Sequence, residues 1–288
     1  MTMNPRSTLY MPAINQRAMD KARSLPADAV VFDLEDAVAP DAKELAREQL
    51  LRQLAAGGYG PRKLVVRCNA LSTPWGADDL RALAGSAIST LCLPKVESVG
   101  QLQAVGNLLR QCGRDDMALW AMIEAPAGVA RVESIATSDN VTALLMGTTD
   151  LAAELRLPAD PTRSGLYYAL GRCVLAARLA GIMALDGVFL DITDTAGLRA
   201  VCEQGRALGF DGKTLIHPGQ IAIANEVFGP SAAAVEHARC LLEVWDEAMA
   251  SGKAVAVLDG RLIETMHVDE ARRVLDTAAH IARLDQEP

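Results

Sequence analysis

The feature that most constrains this chain is an alternation, repeated eight times, of a short apolar run and a longer amphipathic segment. Runs such as LVVR and ALLMG lack the polar alternation of a half-exposed strand, which is typical of parallel strands covered on both faces. We therefore predict strands at 8–11, 29–33, 63–68, 90–94, 118–123, 141–146, 184–189 and 213–216.

The segments between these runs are predicted helices. Apolar residues recur at helical spacing in 41–54, and segments 163–181 and 195–209 each end at a glycine that suits a C-terminal cap. Asp41 and Asp194 are expected to face solvent or to cap the following helix. Eight such units favour an α/β fold of the (β/α)8 TIM-barrel type, with an open doubly wound sheet as the alternative.

The order changes after the eighth strand. An amphipathic stripe predicts a helix over 235–249, and Gly252 ends it. We predict a barrel domain at 1–230 and a C-terminal helical extension or lid at 231–288, which packs on its own barrel or on a neighbouring subunit.

Composition excludes several classes of function. A net charge of −8 argues against nucleic-acid binding, which needs a basic face. No apolar run has the length of a signal peptide or of a membrane span. The six cysteines are scattered without a CxxC pair, and those in the strand-like runs, Cys68 and Cys92, are expected to be buried thiols. We expect a cytoplasmic protein with no membrane or nucleic-acid partner.

Polar residues follow nearly every predicted strand, and in a barrel such residues converge on one face. Charges that converge there need mutual pairing or a metal. In chain order these residues are Glu35 and Asp36, Arg67 and Asn69, Lys95, Glu124, Asp150 (reached through Gly147), Asp191 and Asp194, and His217.

Glu124 and Asp150 are the metal candidates, because both are hard oxygen ligands at the ends of neighbouring strands. Such ligands suit Mg²⁺, with Mn²⁺ as a substitute. Zinc is disfavoured because the four histidines have no ligand spacing. The alternative is that Glu124 forms a buried salt bridge with Arg67.

Two cations at strand ends are candidates for chemistry. The Arg67 guanidinium can hold a substrate carboxylate in two parallel hydrogen bonds or stabilise an enolate oxygen. Lys95 suggests a Schiff-base lysine, but that role needs a lowered pKa, and nearby carboxylates act in the opposite direction.

These residues lie in motifs that resemble the citrate lyase beta-subunit family, which includes malyl-CoA and citramalyl-CoA lyases within the HpcH/HpaI aldolase superfamily. The similarity runs in order from Arg6 to about Gln220 and is looser in the tail. The motifs are RSTLYMPA, VVFDLEDAV, VVRCNA, LPKVES, MIEAPAGV, MGTTDLAAEL, DGVFLDI and LIHPGQI.

The resemblance implies a (β/α)8 barrel, a homotrimer or hexamer, and Mg²⁺ on Glu124 and Asp150. It implies that Arg67 contacts the keto-acid part of the substrate. It also places Glu35 and Asp36 beside the metal, where they hold water ligands or relay a proton.

Further substrate-binding residues are implied in the same way. Arg6, in RSTLYMP, and Pro126 lie in segments that resemble those receiving the CoA thioester arm. Gly147 and Thr148, in MGTTDLAAEL, are expected to bind substrate beside Glu124.

The tail departs from the family pattern. A Met-Ile-Asp-x-Pro motif is common in family members with CoA substrates, and its aspartate supports thioester chemistry. Here Glu264 stands in place of the aspartate and Met266 in place of the proline. The longer side chain moves the carboxylate by roughly one bond length, which puts thioester hydrolysis in doubt more than carbon–carbon cleavage.

We therefore expect a Mg²⁺-dependent lyase that cleaves or forms a 3-hydroxyacyl-CoA such as citramalyl-CoA, malyl-CoA or methylmalyl-CoA. Its other products or substrates would be an acyl-CoA and a 2-oxo acid, pyruvate or glyoxylate. Two alternatives stay open: a citrate lyase beta subunit acting on a carrier-bound citryl thioester, and a CoA-independent 2-oxo acid aldolase.

Overall fold

The computed structural model describes residues 4–252 and 255–284. Its strands are β1 Ser7–Pro12, β2 Ala29–Asp33, β3 Lys63–Arg67, β4 Thr90–Leu93, β5 Ala118–Ile123, β6 Val141–Met146, β7 Met183–Asp186, β8 Gly212–Leu215, β9 Ala256–Leu258 and β10 Arg261–Ile263. Its α-helices are α1 Gln16–Ala22, α2 Lys43–Ala56, α3 Gly76–Ala84, α4 Val99–Gln111, α5 Pro126–Ala130, α6 Val132–Ala136, α7 Thr148–Glu154, α8 Tyr167–Ala180, α9 Thr195–Leu208, α10 Ile221–Phe228, α11 Ala232–Ala250 and α12 Thr265–Leu284. Short 3₁₀ turns lie at Pro40–Ala42, Ser164–Leu166 and Pro218–Gln220.

Within the described residues, strands β1 to β8 close into a parallel barrel in chain order. Each strand pairs with the next one along the chain, and β1 completes the ring by pairing Thr8 with Thr214 of β8. Helices connect the successive strands. The predicted TIM barrel is confirmed, and the open doubly wound alternative is wrong.

The inside of the barrel is packed with apolar side chains. One buried cluster takes alternate residues of β2 and β5 together with residues of β3, β4, β6 and β7, and only the lumen of a closed barrel brings these strands together. Val31 and Val65 belong to this cluster. Because side chains two residues apart share a face, Asp33 and Arg67 also point inward, at the carboxyl ends of their strands.

The seventh strand is shorter than predicted and ends at Asp186 instead of Phe189. The Gly187 N–H donates to Asp186 Oδ1 at 2.8 Å, and its carbonyl accepts a hydrogen bond from Lys213 Nζ. The side chains of Asp186 and Lys213 therefore form hydrogen bonds with the backbone groups of Gly187, which would pair with a neighbouring strand if β7 were longer.

The helix ends follow the local sequence. Gly181 and Gly209 stand at the C-terminal caps of α8 and α9 with φ of 67° and 97°, a conformation that favours glycine. Asp194 caps α9 by accepting a hydrogen bond from the Gly197 N–H at 2.8 Å, as predicted. Asp41 lies exposed in a 3₁₀ turn, so α2 begins two residues later than predicted, at Lys43.

The chain divides into two compact units. One is formed by residues 4–225, and the described residues from 226 onward belong to the other. The second unit packs α11, α12 and the antiparallel hairpin β9–β10 around its own apolar core. The hairpin was not predicted. Residues 1–3, 253–254 and 285–288, which the predicted domains at 1–230 and 231–288 include, lie outside the described residues.

Neither a membrane-spanning helix nor a disulfide is found in the part of the chain that the structure describes. No helix there has the length and apolar character needed to cross a bilayer. The six cysteines are free thiols, and Cys68 and Cys92 are buried as predicted.

A cluster of charges is buried between the barrel and its helical layer. Asp186 and Lys213 have no exposed surface, and Lys213 Nζ lies 2.9 Å from Asp186 Oδ2. Arg163, in the segment before α8, contacts the other oxygen at 2.8 Å. The cluster therefore joins β7, β8 and the α7–α8 connection through buried charges.

We predict that Asp186→Ala lowers the free energy of unfolding by about 3–5 kcal/mol, because it leaves Lys213 buried without its counter-charge. Urea denaturation followed by circular dichroism measures the change. If the variant does not fold, Asp186→Asn, which keeps the shape of the side chain, serves instead.

Glu48→Ala is the matched control, because it removes an exposed ion pair with Arg52 in α2. Its expected effect is below about 0.5 kcal/mol. A loss in the Asp186 variants as small as in this control would contradict the prediction.

Candidate active site

Arg67 is held at the end of β3 by a bidentate ion pair. Its Nε and Nη2 donate to Asp33 Oδ1 and Oδ2, each at 2.7 Å. Its Nη1 lies 3.0 Å from Glu35 Oε2 and 3.3 Å from Asp36 Oδ2, and its guanidinium carbon lies 5.0 Å from the centre of the Tyr10 ring. Three carboxylates and one aromatic face therefore fix a single guanidinium.

The segment after β2 is shaped so that its acidic residues face this guanidinium. Asp33 accepts hydrogen bonds from the Glu35 N–H at 2.9 Å and the Ala37 N–H at 3.1 Å. At the start of α2, the buried Lys43 Nζ donates to the carbonyls of Leu34 at 2.8 Å and Glu35 at 2.7 Å. These four hydrogen bonds therefore restrict the conformation of the segment after β2.

Glu124, at the end of β5, is fixed by backbone groups of two neighbouring segments. Its Oε1 accepts the Lys95 N–H at 2.7 Å. Gly147, at the end of β6, lies so close that a Cβ there would be 2.2 Å from the Glu124 Cβ and 2.6 Å from its Oε2. The glycine is therefore needed for the close approach of the β6 end to the carboxylate.

Thr148 and Asp150 stand in the first turn of α7, directly after β6. Thr148 is buried, and a Cβ on Gly187 would lie 2.4 Å from its Oγ1. Asp150 is half-buried and close enough to affect the Glu124 carboxyl group. The start of α7 therefore presents one carboxylate beside Glu124.

The site carries more negative than positive charge. Burial raises the pKa of Glu124 to about 7, and it raises the pKa of Glu35 as well. Burial alone would lower the pKa of Lys95, but the surrounding carboxylates raise it above its ordinary value. Five carboxylates meet two cations, Arg67 and Lys95: these are Asp33, Glu35, Asp36, Glu124 and Asp150.

The donor set fits a hard divalent cation. Among residues 4–252 and 255–284, no group of three or more His, Cys, Asp or Glu side chains is arranged as a ready metal cage. The candidate ligands are the pair Glu124 and Asp150. Two carboxylates leave the remaining positions to water and substrate, which is the arrangement that Mg²⁺ prefers. The excess negative charge around them is what such a cation would balance.

The structure brings most of the predicted residues together at the carboxyl face of the barrel. Those that follow β2 to β6 do meet: Glu35, Asp36, Arg67, Lys95, Glu124, Gly147, Thr148 and Asp150. The alternative salt bridge between Arg67 and Glu124 is not formed. Asp33 takes that position instead.

Three other predicted residues lie elsewhere. Arg6 precedes β1 at the amino-terminal ends of the strands, where Asp28 binds its guanidinium in two hydrogen bonds of 2.8 Å, so its expected role in substrate binding is not retained. Pro126 begins α5 and is exposed, directly after the Glu124 strand. Glu264 lies in the second unit, just before α12.

Asp33, the main partner of Arg67, was not among the predicted site residues. Asp33 and Arg67 each stand two residues beyond a lumen-facing valine on adjacent strands, a relation that becomes visible only when the strands are aligned in register. Lys43 was not predicted either. It lies in the predicted amphipathic helix, and its buried amine donates to two carbonyls of the segment after β2.

Comparison with known proteins adds relatives over nearly the whole length. Residues 6–218 match the family model described as HpcH/HpaI aldolase/citrate lyase. A (3S)-malyl-CoA thioesterase of Cereibacter sphaeroides is 47% identical over 277 residues, which cover 96% of this chain and 95% of that protein. An L-malyl-CoA/beta-methylmalyl-CoA lyase of the same species is 34% identical over an alignment of 303 residues, covering 96% and 95%.

A solved structure is similar over nearly the whole chain. The protein CitE from Mycobacterium tuberculosis, in complex with magnesium, acetoacetate and coenzyme A, is 30% identical with a TM-score of 0.78. The match covers 96% of this chain and 99% of that chain.

We predict that Gly147→Ala displaces the Glu124 carboxylate, because the added methyl group would overlap the Glu124 side chain. Overpacking of this kind lowers the free energy of unfolding by about 1–3 kcal/mol. The affinity for Mn²⁺, titrated by electron paramagnetic resonance, is expected to fall at least about tenfold. Gly171→Ala, inside α8 with no atom within 4 Å of the added Cβ, is the control and should be neutral or stabilising. Equal Mn²⁺ affinity in both variants would argue against the packing role of Gly147.

Proposed function

We propose a reaction for this chain from the premise that it belongs to the HpcH/HpaI aldolase/citrate lyase family. The protein cleaves, or in reverse forms, the carbon–carbon bond of a 3-hydroxyacyl-CoA that carries a carboxylate, giving an acyl-CoA and a 2-oxo acid. One observation carries the proposal: Arg67 and the carboxylates Glu35 and Glu124 converge on the carboxyl face of the barrel, where barrel enzymes hold their substrates.

The names of the relatives support the proposed substrate class. The thioesterase and the lyase that resemble this chain are both named for malyl-CoA or its methyl derivative, and CitE holds coenzyme A with a small oxo acid. Malyl-CoA, methylmalyl-CoA and citramalyl-CoA differ by single methyl groups. An apolar pocket distinguishes such neighbours by only about 1–3 kcal/mol, so we propose the class of substrate and leave its members to measurement.

Glu124 and Asp150 are the residues proposed to hold Mg²⁺, or Mn²⁺ in its place. When bound, such an ion supplies a Lewis acid that polarises substrate oxygens. The buried Glu124 carboxylate, held by the Lys95 N–H and packed against Gly147, is fixed in position before any ligand arrives.

The proton transfer and the stabilisation of negative charge are assigned to side chains of the site. Glu35 or Asp36 takes the proton of the substrate 3-hydroxyl group, the bond between carbons 2 and 3 breaks, and its electron pair passes to the thioester as an enolate. The enolate then takes up a proton to give the acyl-CoA. Arg67, held in place by Asp33, balances the negative charge as it develops, and this preorganised role often dominates such barriers. Glu264 stays a candidate for proton transfer from the tail.

Thioester hydrolysis is the second candidate reaction. It is favoured by the 47% identity to a (3S)-malyl-CoA thioesterase over nearly the whole chain. Against it stands Glu264, which replaces the shorter aspartate that the family resemblance connects with thioester chemistry. Both reactions would use the same substrate and the same carboxylate site.

The cellular setting is also proposed. The relatives act on small CoA esters, so we expect a cytoplasmic enzyme whose partners are an acyl-CoA and a 2-oxo acid. A homotrimer or hexamer is the expected assembly. Sedimentation velocity of the purified chain would measure it.

The deciding experiment supplies (3S)-malyl-CoA with Mg²⁺ and follows three products: free thiol, acetyl-CoA and glyoxylate. We expect acetyl-CoA and glyoxylate in equal amounts, activity lost with EDTA and restored by Mg²⁺, and a fall of at least about 100-fold in kcat in Arg67→Ala and Asp150→Ala. Full activity in either variant would refute the proposed site.

The other outcomes identify the competing reactions. Free thiol with malate, and no glyoxylate, would establish the thioesterase. Turnover of a free hydroxy-oxo acid, or of a carrier-bound citryl group alone, would establish a CoA-independent aldolase or a citrate lyase beta subunit.

We predict that Glu264→Asp, which restores the shorter carboxylate of the family pattern, raises release of free thiol from malyl-CoA by at least about tenfold while formation of glyoxylate changes less than about threefold. The reason is that thioester chemistry is the step that the family resemblance connects with this position. Glu270→Ala, which removes an exposed carboxylate further along α12, is the control and should change neither rate. An equal effect on both products would remove Glu264 from the thioester step.

A further inference from the structure

Lys95 has a strained backbone that serves the site. Its φ is 51°, in the left-handed region that residues other than glycine seldom adopt. That conformation directs its N–H at Glu124 Oε1, 2.7 Å away. The hydrogen bond from this N–H to the buried Glu124 carboxylate compensates for the strain.

The side chain of Lys95 differs from the other cation of the site. Arg67 is nine-tenths buried, and Asp33, Glu35 and Asp36 surround its guanidinium. The Lys95 side chain is 53% exposed, and among the described residues its Nζ has one ion-pair contact, 3.6 Å from Glu35 Oε1. An incoming anion can therefore reach the Lys95 ammonium without displacing a tightly bound partner.

An acid substrate needs such a cation. Its carboxylate must enter a site that already holds five carboxylates, and like charges at short range repel. Lys43 cannot help, because its buried amine is bound to the carbonyls of Leu34 and Glu35. Lys63 cannot help either, because it stands at the opposite end of β3, over the Trp120 ring.

We propose that Lys95 is a substrate-binding residue with two separable parts: its backbone N–H positions Glu124, and its ammonium group binds the carboxylate of the small 2-oxo acid that the reaction releases or consumes. This inference rests on the proposed function for the identity of the acid. Its test measures binding of metal and acid, so it gives a result even if no turnover is found.

Three substitutions separate the two parts. Lys95→Gly keeps the N–H and relieves the positive φ, Lys95→Met keeps the length without the charge, and Lys95→Arg keeps the charge. For each we would titrate Mn²⁺ by electron paramagnetic resonance, and then glyoxylate by calorimetry with Mg²⁺ present.

All three variants are expected to bind Mn²⁺ within about threefold of the wild type, or more tightly, because the N–H to Glu124 remains. The Gly and Met variants should bind glyoxylate at least about tenfold more weakly, by equal factors, and the Arg variant should recover most of that loss. A residue that only supports the structure would lose metal and acid together, and Arg would not rescue it. Lys21→Met, which removes an exposed lysine of α1, is the control for loss of one positive charge.

Four results would overturn the proposal. The first is a wild-type affinity for glyoxylate in Lys95→Met, and the second is a loss of glyoxylate affinity in the Met variant but not in the Gly variant. The third is that the wild type binds none of glyoxylate, pyruvate and oxaloacetate. The last is a covalent adduct between pyruvate and Lys95 that borohydride traps. The last result would make Lys95 a nucleophile in place of a counter-charge. Binding as expected with no turnover of any CoA ester would leave the Lys95 proposal standing and refute the proposed reaction alone.

Discussion

The bidentate pair between Asp33 and Arg67 is the interaction on which the site depends. Both residues point into the barrel at the ends of adjacent strands, where two charges without partners would be costly to bury. The pair satisfies each of them and leaves Nη1 directed at Glu35 and Asp36. Because Asp33 also accepts two backbone N–H groups of the following turn, one carboxylate determines both the guanidinium orientation and the path of the acidic loop.

The pattern of apolar runs was sufficient to predict the barrel, because strands buried on both faces need a continuous hydrophobic surface. It was also sufficient to predict which strand ends carry charge. It could not predict the partners of those charges, since pairing across β2 and β3 depends on register, and register appears only when the strands are aligned. For that reason Glu124 was considered a possible partner of Arg67, whereas Asp33 occupies that place. The hairpin β9–β10 was missed because its three-residue strands are too short to show a period.

Two groups of buried charge described above lie on opposite faces of the barrel wall. One faces the lumen and contains Arg67. The other, Asp186 with Lys213 and Arg163, faces the helical layer and holds both backbone groups of Gly187. A Cβ on Gly187 would overlap the side chain of Thr148, so Gly187 lies close to the start of the helix that carries Asp150. The helical side of the barrel thus supports the position of one candidate metal ligand through a chain of contacts and not through a direct bond.

The left-handed turn at Lys95 has a consequence for attempts to alter the enzyme. A backbone N–H, not a side chain, holds Glu124, so the bond does not depend on the Lys95 side chain. It does depend on the positive φ, which glycine and asparagine adopt readily but proline and β-branched residues do not, and on the length of the β4–α4 connection. Libraries that vary the side chain at this position within those limits keep the hydrogen bond to Glu124. Libraries that insert or delete residues there do not, and variation of substrate range is therefore better sought by substitution than by loop grafting.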